Sequence, residues 1–232
     1  MIKGIFFDLG WTLMKPETGD WMLTKKFRKY YPLSVQNKVD SKVWNQALAL
    51  ASQPLIDHHL MSTREEELEA FTNFYYDLCS HASLSITKEI AREIAYDRTY
   101  HYEKYVMLDG ARELLETLHS MHIKTSILSD TWPSMVNIIQ ELGYEDLFDS
   151  YTYSYQYGVY KPNPILLEAA LKNMDLPPEE CMFMDDLEEN IIAMEKYGVH
   201  PILSCAKNPS FVHPTIPCAK EPLDILEFIK LL

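Results

Sequence analysis

Asp8 and Thr12 stand just beyond a short apolar run, Ile2 to Phe7. Ser129 and Asp130 follow a second run, Thr125 to Leu128, and Asp185 and Asp186 follow a third, Cys181 to Met184. Lys161 lies in the loop ahead of Asn163-Pro164, and Asn190 is four residues past Asp186, one helical turn on. Such a set suits phosphoryl chemistry. Carboxylates are hard oxygen ligands, and magnesium typically takes one or two of them plus substrate phosphate. A lysine and a cation offset the charge that would repel a carboxylate nucleophile from phosphate. Ser129 and neighbouring amides can hold phosphate oxygens while Asp8 attacks phosphorus.

Each residue also has a plainer reading. Asp8 can cap a turn, and Asp185-Asp186 can cap the next helix at its positive end. Ser129 can be an N-cap, Asp130 a cap or loop residue, and Lys161 a solvated surface lysine. What lifts them above these readings is their shared place at strand ends, because ligands of open parallel sheets bind there.

The elements needed for that placement are legible. Ile2 to Phe7 reads as a strand buried on both faces. From about residue 15 to 105 no strand pattern stands out. Val39 to Ser52, a segment opened by the capping pairs Ser62/Glu65 and Thr63/Glu66, and Lys88 to Tyr105 read as helices, with Trp21 to Tyr30 a weaker case. Leu68, Phe71, Phe74, Tyr75 and Leu78 share one face. Strands and helices then alternate. Strands are expected at Thr125 to Leu128, within Ser150 to Tyr155, at Cys181 to Met184 and at Pro201 to Leu203, before a closing helix from Glu221 to Leu232. The fold class is therefore α/β, a Rossmann-like doubly wound parallel sheet with an inserted helical segment. The expected division is a core of residues 1–14 and 106–232 and a helical domain of 15–105.

The 232 residues carry a formal charge of −13, which disfavours a general binder of nucleic acid or anionic membrane. Cys79, Cys181, Cys205 and Cys218 have no metal spacing and read as buried thiols in a reducing compartment. Asp8 interrupts the N-terminal apolar run, so no signal peptide is read there, and no stretch approaches the ~20 apolar residues of a membrane span. A cytoplasmic protein is expected. His58-His59 reads as surface, and Tyr151 to Tyr160 as a strand and loop that pack or flank the site.

Four segments carry a resemblance. Phe6-Phe7-Asp8-Leu9-Gly10-Trp11-Thr12-Leu13, Ile127-Leu128-Ser129-Asp130, Gly158-Val159-Tyr160-Lys161-Pro162-Asn163-Pro164 and Met182-Phe183-Met184-Asp185-Asp186 through Asn190 occur in the order of the motifs of the haloacid dehalogenase superfamily. The chain resembles that superfamily over its whole length, and the helical insertion is similar to its cap. The resemblance implies Asp8 as nucleophile and metal ligand, Asp186 as second ligand and Asp185 in the metal shell. It also implies that Gly10 lends a carbonyl to the metal, and that Thr12, Ser129, Asp130 and Lys161 bind phosphate. Asn190 would orient Lys161 or the metal shell. Implied cofactor and substrate are Mg2+ and a small phosphorylated metabolite, with oligomeric state open.

One position departs from the family pattern. Most phosphatases of the superfamily have an aspartate two residues after the nucleophile, which protonates the leaving group. Here that position is Gly10. A general acid–base typically supplies ~10²–10⁴ in rate, so activated leaving groups such as acyl phosphates or sugar 1-phosphates suffer least from its loss. Three alternatives stay open: a haloacid dehalogenase, a phosphonate hydrolase using Lys15, Lys25, Lys26 or Lys29 as a Schiff base, and a binding protein without turnover.

Overall fold

The computed structural model describes residues 1–231. It divides into two compact units. One holds Met1–Lys15, Tyr105–Thr131 and the described residues from Ile139 onward; the other holds Pro16–Lys104 and Trp132–Ile138. The chain opens with β1 (Gly4–Phe7) and β2 (Met14–Pro16). Then come α1 (Lys25–Tyr30), α2 (Leu33–Gln36), α3 (Ser41–Asp57), α4 (Arg64–His81) and α5 (Lys88–Tyr100), followed by β3 (Tyr105–Met107). β2 and β3 form a two-stranded sheet that the sequence did not reveal, since three residues each carry no periodicity. The helix expected to reach Tyr105 ends at Tyr100, where His101 turns to extended backbone.

In the helical unit, side chains satisfy the helix N-termini. Thr24, Asp40 and Thr87 accept amide hydrogens at the starts of α1, α3 and α5. Thr63 and Glu66 form a reciprocal capping box on α4. Of the two overlapping boxes expected, only this one closes; Glu65 instead accepts from the Tyr100 hydroxyl at 2.9 Å. Phe71, Phe74, Tyr75 and Leu78 of α4 are buried between small residues, Ala47 and Ala51 of α3 and Ala91 and Ala95 of α5. Large faces thus fill the space that small ones leave.

A buried charge cluster sits in this unit. Glu67 and Arg98 pair at 3.0 Å with their side chains 0% and 2% exposed, and the guanidinium lies 3.5 Å from the Phe71 ring centre. Glu67 also accepts from the Ser134 amide at 2.7 Å and hydroxyl at 2.8 Å. This is why Trp132–Ile138, expected with the α/β core, belongs to the helical unit. His59 corrects the surface reading: His58 is exposed, but His59 is 1% exposed and stands edge-on to Trp132 at 4.7 Å. Burial pushes its imidazole down to about 4.

The other unit continues with α6 (Ala111–Ser120), β4 (Lys124–Ser129), α7 (Met135–Glu141), β5 (Ser150–Tyr153) and α8 (Pro164–Met174). After these come β6 (Cys181–Asp185), α9 (Glu188–Glu195), β7 (His200–Ser204), β8 (Cys218–Ala219) and α10 (Ile225–Leu231). α7 begins at Met135 in the helical unit and continues into this unit from Ile139. Six parallel strands run in the order β5-β4-β1-β6-β7-β8, so the chain passes to one side of β1 and returns on the other. β1 and β6 are buried throughout, as parallel strands covered on both faces must be. Gly4 permits this closeness, because a Cβ there would lie 2.7 Å from Leu176 and 2.9 Å from Met174. Register aligns the carboxyl ends: Phe7 pairs with Ile127 on one side and Met184 on the other. β8, two residues long, was not foreseen; the closing helix begins as a 3-10 turn at Pro222. Leu232 lies outside the described residues. Cys79, Cys181, Cys205 and Cys218 are free thiols, the first three buried.

Removing the Glu67 carboxylate leaves Arg98 charged and buried. Glu67→Ala is expected to lose about 3–5 kcal/mol in urea unfolding, and the apolar pair Glu67→Leu with Arg98→Met to regain most of it. A loss below about 1 kcal/mol would show that the pair holds little.

The depressed His59 makes stability depend on pH. Below about 6.5 the unfolded chain takes up a proton that folded His59 refuses until about 4, so stability falls as pH drops through that window. The expected loss is on the order of 3 kcal/mol by the lower end. Thermal melts of wild type and His59→Phe between those limits measure it; parallel slopes would refute the assignment.

Candidate active site

The aligned strand ends converge on Lys161. Its ammonium donates to Asp8 Oδ1 at 2.6 Å, to Asp185 Oδ2 at 2.6 Å and to the Leu128 carbonyl at 3.2 Å. These use all three donors of a side chain only 2% exposed. Burial alone would push this lysine down, but the charges of Asp185, Asp8 and Asp130 outweigh it and hold the ammonium protonated. Asp130 also accepts from the Lys161 amide at 3.0 Å, which fixes the loop that carries the lysine.

The two adjacent aspartates have different surroundings. Asp185, last residue of β6, is fully buried. Its oxygens accept from Lys161, from the Leu187 amide at 2.8 Å, and from Asn190 Nδ2 at 3.1 and 3.0 Å. Asp186, half-buried beyond the strand, is pushed up to about 6, by burial and then by Asp185. Asp8 is pushed up to about 7 by burial, with Lys161 pulling the other way and Asp185 and Asp186 adding to the rise. Two raised carboxylates beside a third form a site short of positive charge.

That shortage matches a divalent cation. Asp8, Asp185 and Asp186 each bring a carboxylate oxygen within 4.8 Å of the others. Because Lys161 and Asn190 already saturate Asp185, the oxygens best free to ligate belong to Asp8 and Asp186. An all-oxygen set of carboxylates suits a hard divalent cation.

Thr12 is fully buried, and its hydroxyl meets no partner among the described residues. Ser129 ends β4 opposite Tyr153 and is buried. Asn190 reaches Lys161 only through Asp185. Gly10 forms an isolated bridge with Met14 and brings no side chain. Trp11 takes left-handed backbone, φ 52°, which costs a bulky residue roughly 1–2 kcal/mol. Two hydrogen bonds hold it: its amide donates to Met14 O at 2.7 Å, and its carbonyl accepts from Ser204 Oγ at 2.7 Å. Ser204 ends β7 and was missed in the sequence, although the strand-end rule that selects Asp8 selects it too.

Residues 2–198 match the model of the haloacid dehalogenase-like hydrolases. The chain belongs to that family. Solved structures agree on the fold. A HAD-superfamily hydrolase from Ehrlichia chaffeensis is 22% identical over 100% of this chain and 98% of its own, with TM-score 0.56. L-2-haloacid dehalogenase from Xanthobacter autotrophicus is 17% identical over 99% of both chains, with TM-score 0.68. A HAD phosphatase from Thermococcus onnurineus is 13% identical over 98% of both, with TM-score 0.60. No curated protein sequence matches this haloacid dehalogenase-like hydrolase. No helix among its described residues is long and apolar enough to cross a membrane.

Proposed function

We propose that this hydrolase is a magnesium-dependent phosphatase acting on a small phosphorylated metabolite. The carboxylate pair at the end of β6 carries the reading: Asp185 is committed to Lys161, and Asp186 is left beside Asp8 as a second oxygen ligand. A dehalogenase attacking carbon has no need of that second acid. Bound magnesium, held by Asp8, Asp186 and the Gly10 carbonyl, would neutralise charge on the phosphoryl oxygens.

The chain's own residues do the rest. One Asp8 oxygen is pinned by Lys161, which fixes the rotamer of the attacking carboxylate. Lys161 stays charged and offsets repulsion between carboxylate and phosphate, with Ser129 and Thr12 as donors to phosphoryl oxygens. An Asp8 carboxylate oxygen bonds to phosphorus as the ester P–O bond breaks and its electron pair leaves with the oxygen. Water then attacks phosphorus, releasing inorganic phosphate and restoring Asp8. Asp130 and Asn190 position Lys161, one through its amide and the other through Asp185. Because Gly10 offers no proton, leaving groups that depart as stable anions are the expected substrates, acyl phosphates and sugar 1-phosphates among them.

Gly10 also favours a second reading, since halide leaves without a proton and a dehalogenase does not need the acid. Release of phosphate and of halide from matched panels separates the two. Phosphate release is expected to require magnesium and to fall on the order of 10³-fold or more in Asp8→Asn. Halide release without metal would select the dehalogenase, and ligand binding with no turnover would select a binding protein.

Gly10→Asp is expected to restore part of the ~10²–10⁴-fold due to a general acid, on unactivated esters only. An equal change on acyl phosphates would contradict that account.

A further inference from the structure

Lys161 spends its charge inside the site, so an anionic group on the far side of a substrate must find another cation. Beyond Ser204 the chain turns, with the Asn208 amide donating to Cys205 O at 2.9 Å. This turn sets Lys207 Nζ over the Trp11 ring, 5.7 Å from its centre. Trp11 is three residues past Asp8, and the two hydrogen bonds that hold its left-handed backbone fix where the ring stands. Lys207 is exposed, and among the described residues no carboxylate lies within salt-bridge distance of it, although its charge acts on Asp186 across the cavity. An aromatic face orients this ammonium without neutralising it.

The same lysine lines a cavity of about 450 Å³ with Asp186, Glu188, Ser204, Asn208 and Phe211. Asp186 ties this space to the candidate metal centre. Of the two acids on its wall, Glu188 faces His213 Nε2 at 3.3 Å, and Asp186 belongs to the ligand set. Lys207 is the cation left to meet a ligand, and Asn208 adds an amide side chain next to it.

We propose that Lys207 is a specificity residue that binds a second anionic group, a carboxylate or further phosphate, on the phosphorylated substrate. The proposal rests on the phosphatase reading and narrows it to metabolites bearing two anionic groups. Trp11 is the positioning residue: it places the ammonium, and the anion contacts Lys207 itself. Phosphate chemistry at Asp8 does not need Lys207, so its loss selects against one class of ligand and leaves the rest.

Binding of methylphosphonate, phosphonoacetate and 3-phosphonopropionate, measured by calorimetry with magnesium, tests this on the full chain. Wild type is expected to bind one of the carboxylated phosphonates about tenfold tighter than methylphosphonate, a usual size for one charge-assisted contact. Lys207→Ala should lose that about tenfold preference and Lys207→Arg keep most of it, with methylphosphonate within about twofold in all three. No preference in wild type, or equal weakening of every ligand in Lys207→Ala, overturns the role of Lys207 alone. Failure of wild type to bind any phosphonate overturns the phosphatase reading, and this inference with it.

Discussion

Three charges share one buried point: the Lys161 ammonium between the carboxylates of Asp8 and Asp185. Taking a lysine and two acids out of water is costly, and only short charge-assisted hydrogen bonds offset it. The surroundings supply them, through Leu128 O, the Leu187 amide and the Asn190 side chain. Four segments far apart in sequence must meet for these bonds to form, so the parallel register of β4, β1 and β6 and the site constrain each other. Removing any one member strands a buried charge.

The helical unit repeats the device around Glu67 and Arg98, with Ser134 as third partner. Trp132–Ile138 begins three residues after Ser129, so the segment held by Glu67 is the direct continuation of the strand end carrying that serine. Buried polar clusters of this kind fix one arrangement, since any slip leaves unpaired groups in an apolar surrounding.

A net charge of −13 places an anionic substrate in an unfavourable field, and local cations have to reverse it. Lys161 is internal, so under the proposed function the reversal would fall to a divalent ion at Asp8 and Asp186 and to Lys207. Gly10 adds no charge and no proton.

Much of this was readable from residue order. Alternating strands and helices after residue 105 fix a parallel sheet, and in such a sheet Asp8, Ser129 and the Asp185-Asp186 pair must lie together at the carboxyl edge. The capping of α4 and its aromatic face were equally plain, because both depend on residues within a few turns. Residue types and spacing alone do not supply the contacts that hold each neighbour. The resemblance separates Asp186 from Asp185, but only the fold shows Asp185, at the end of β6, turned inward to Lys161 and Asn190. His59 read as surface because its burial comes from Trp132, more than seventy residues on. Trp132–Ile138 read as core because its partner Glu67 lies on a helix of the insertion. The sequence by itself determined which polar residues gather at one end of the sheet. Tertiary structure alone decided which acid holds the lysine, which histidine is buried and which lysine stands on Trp11, because each depends on contacts between distant segments.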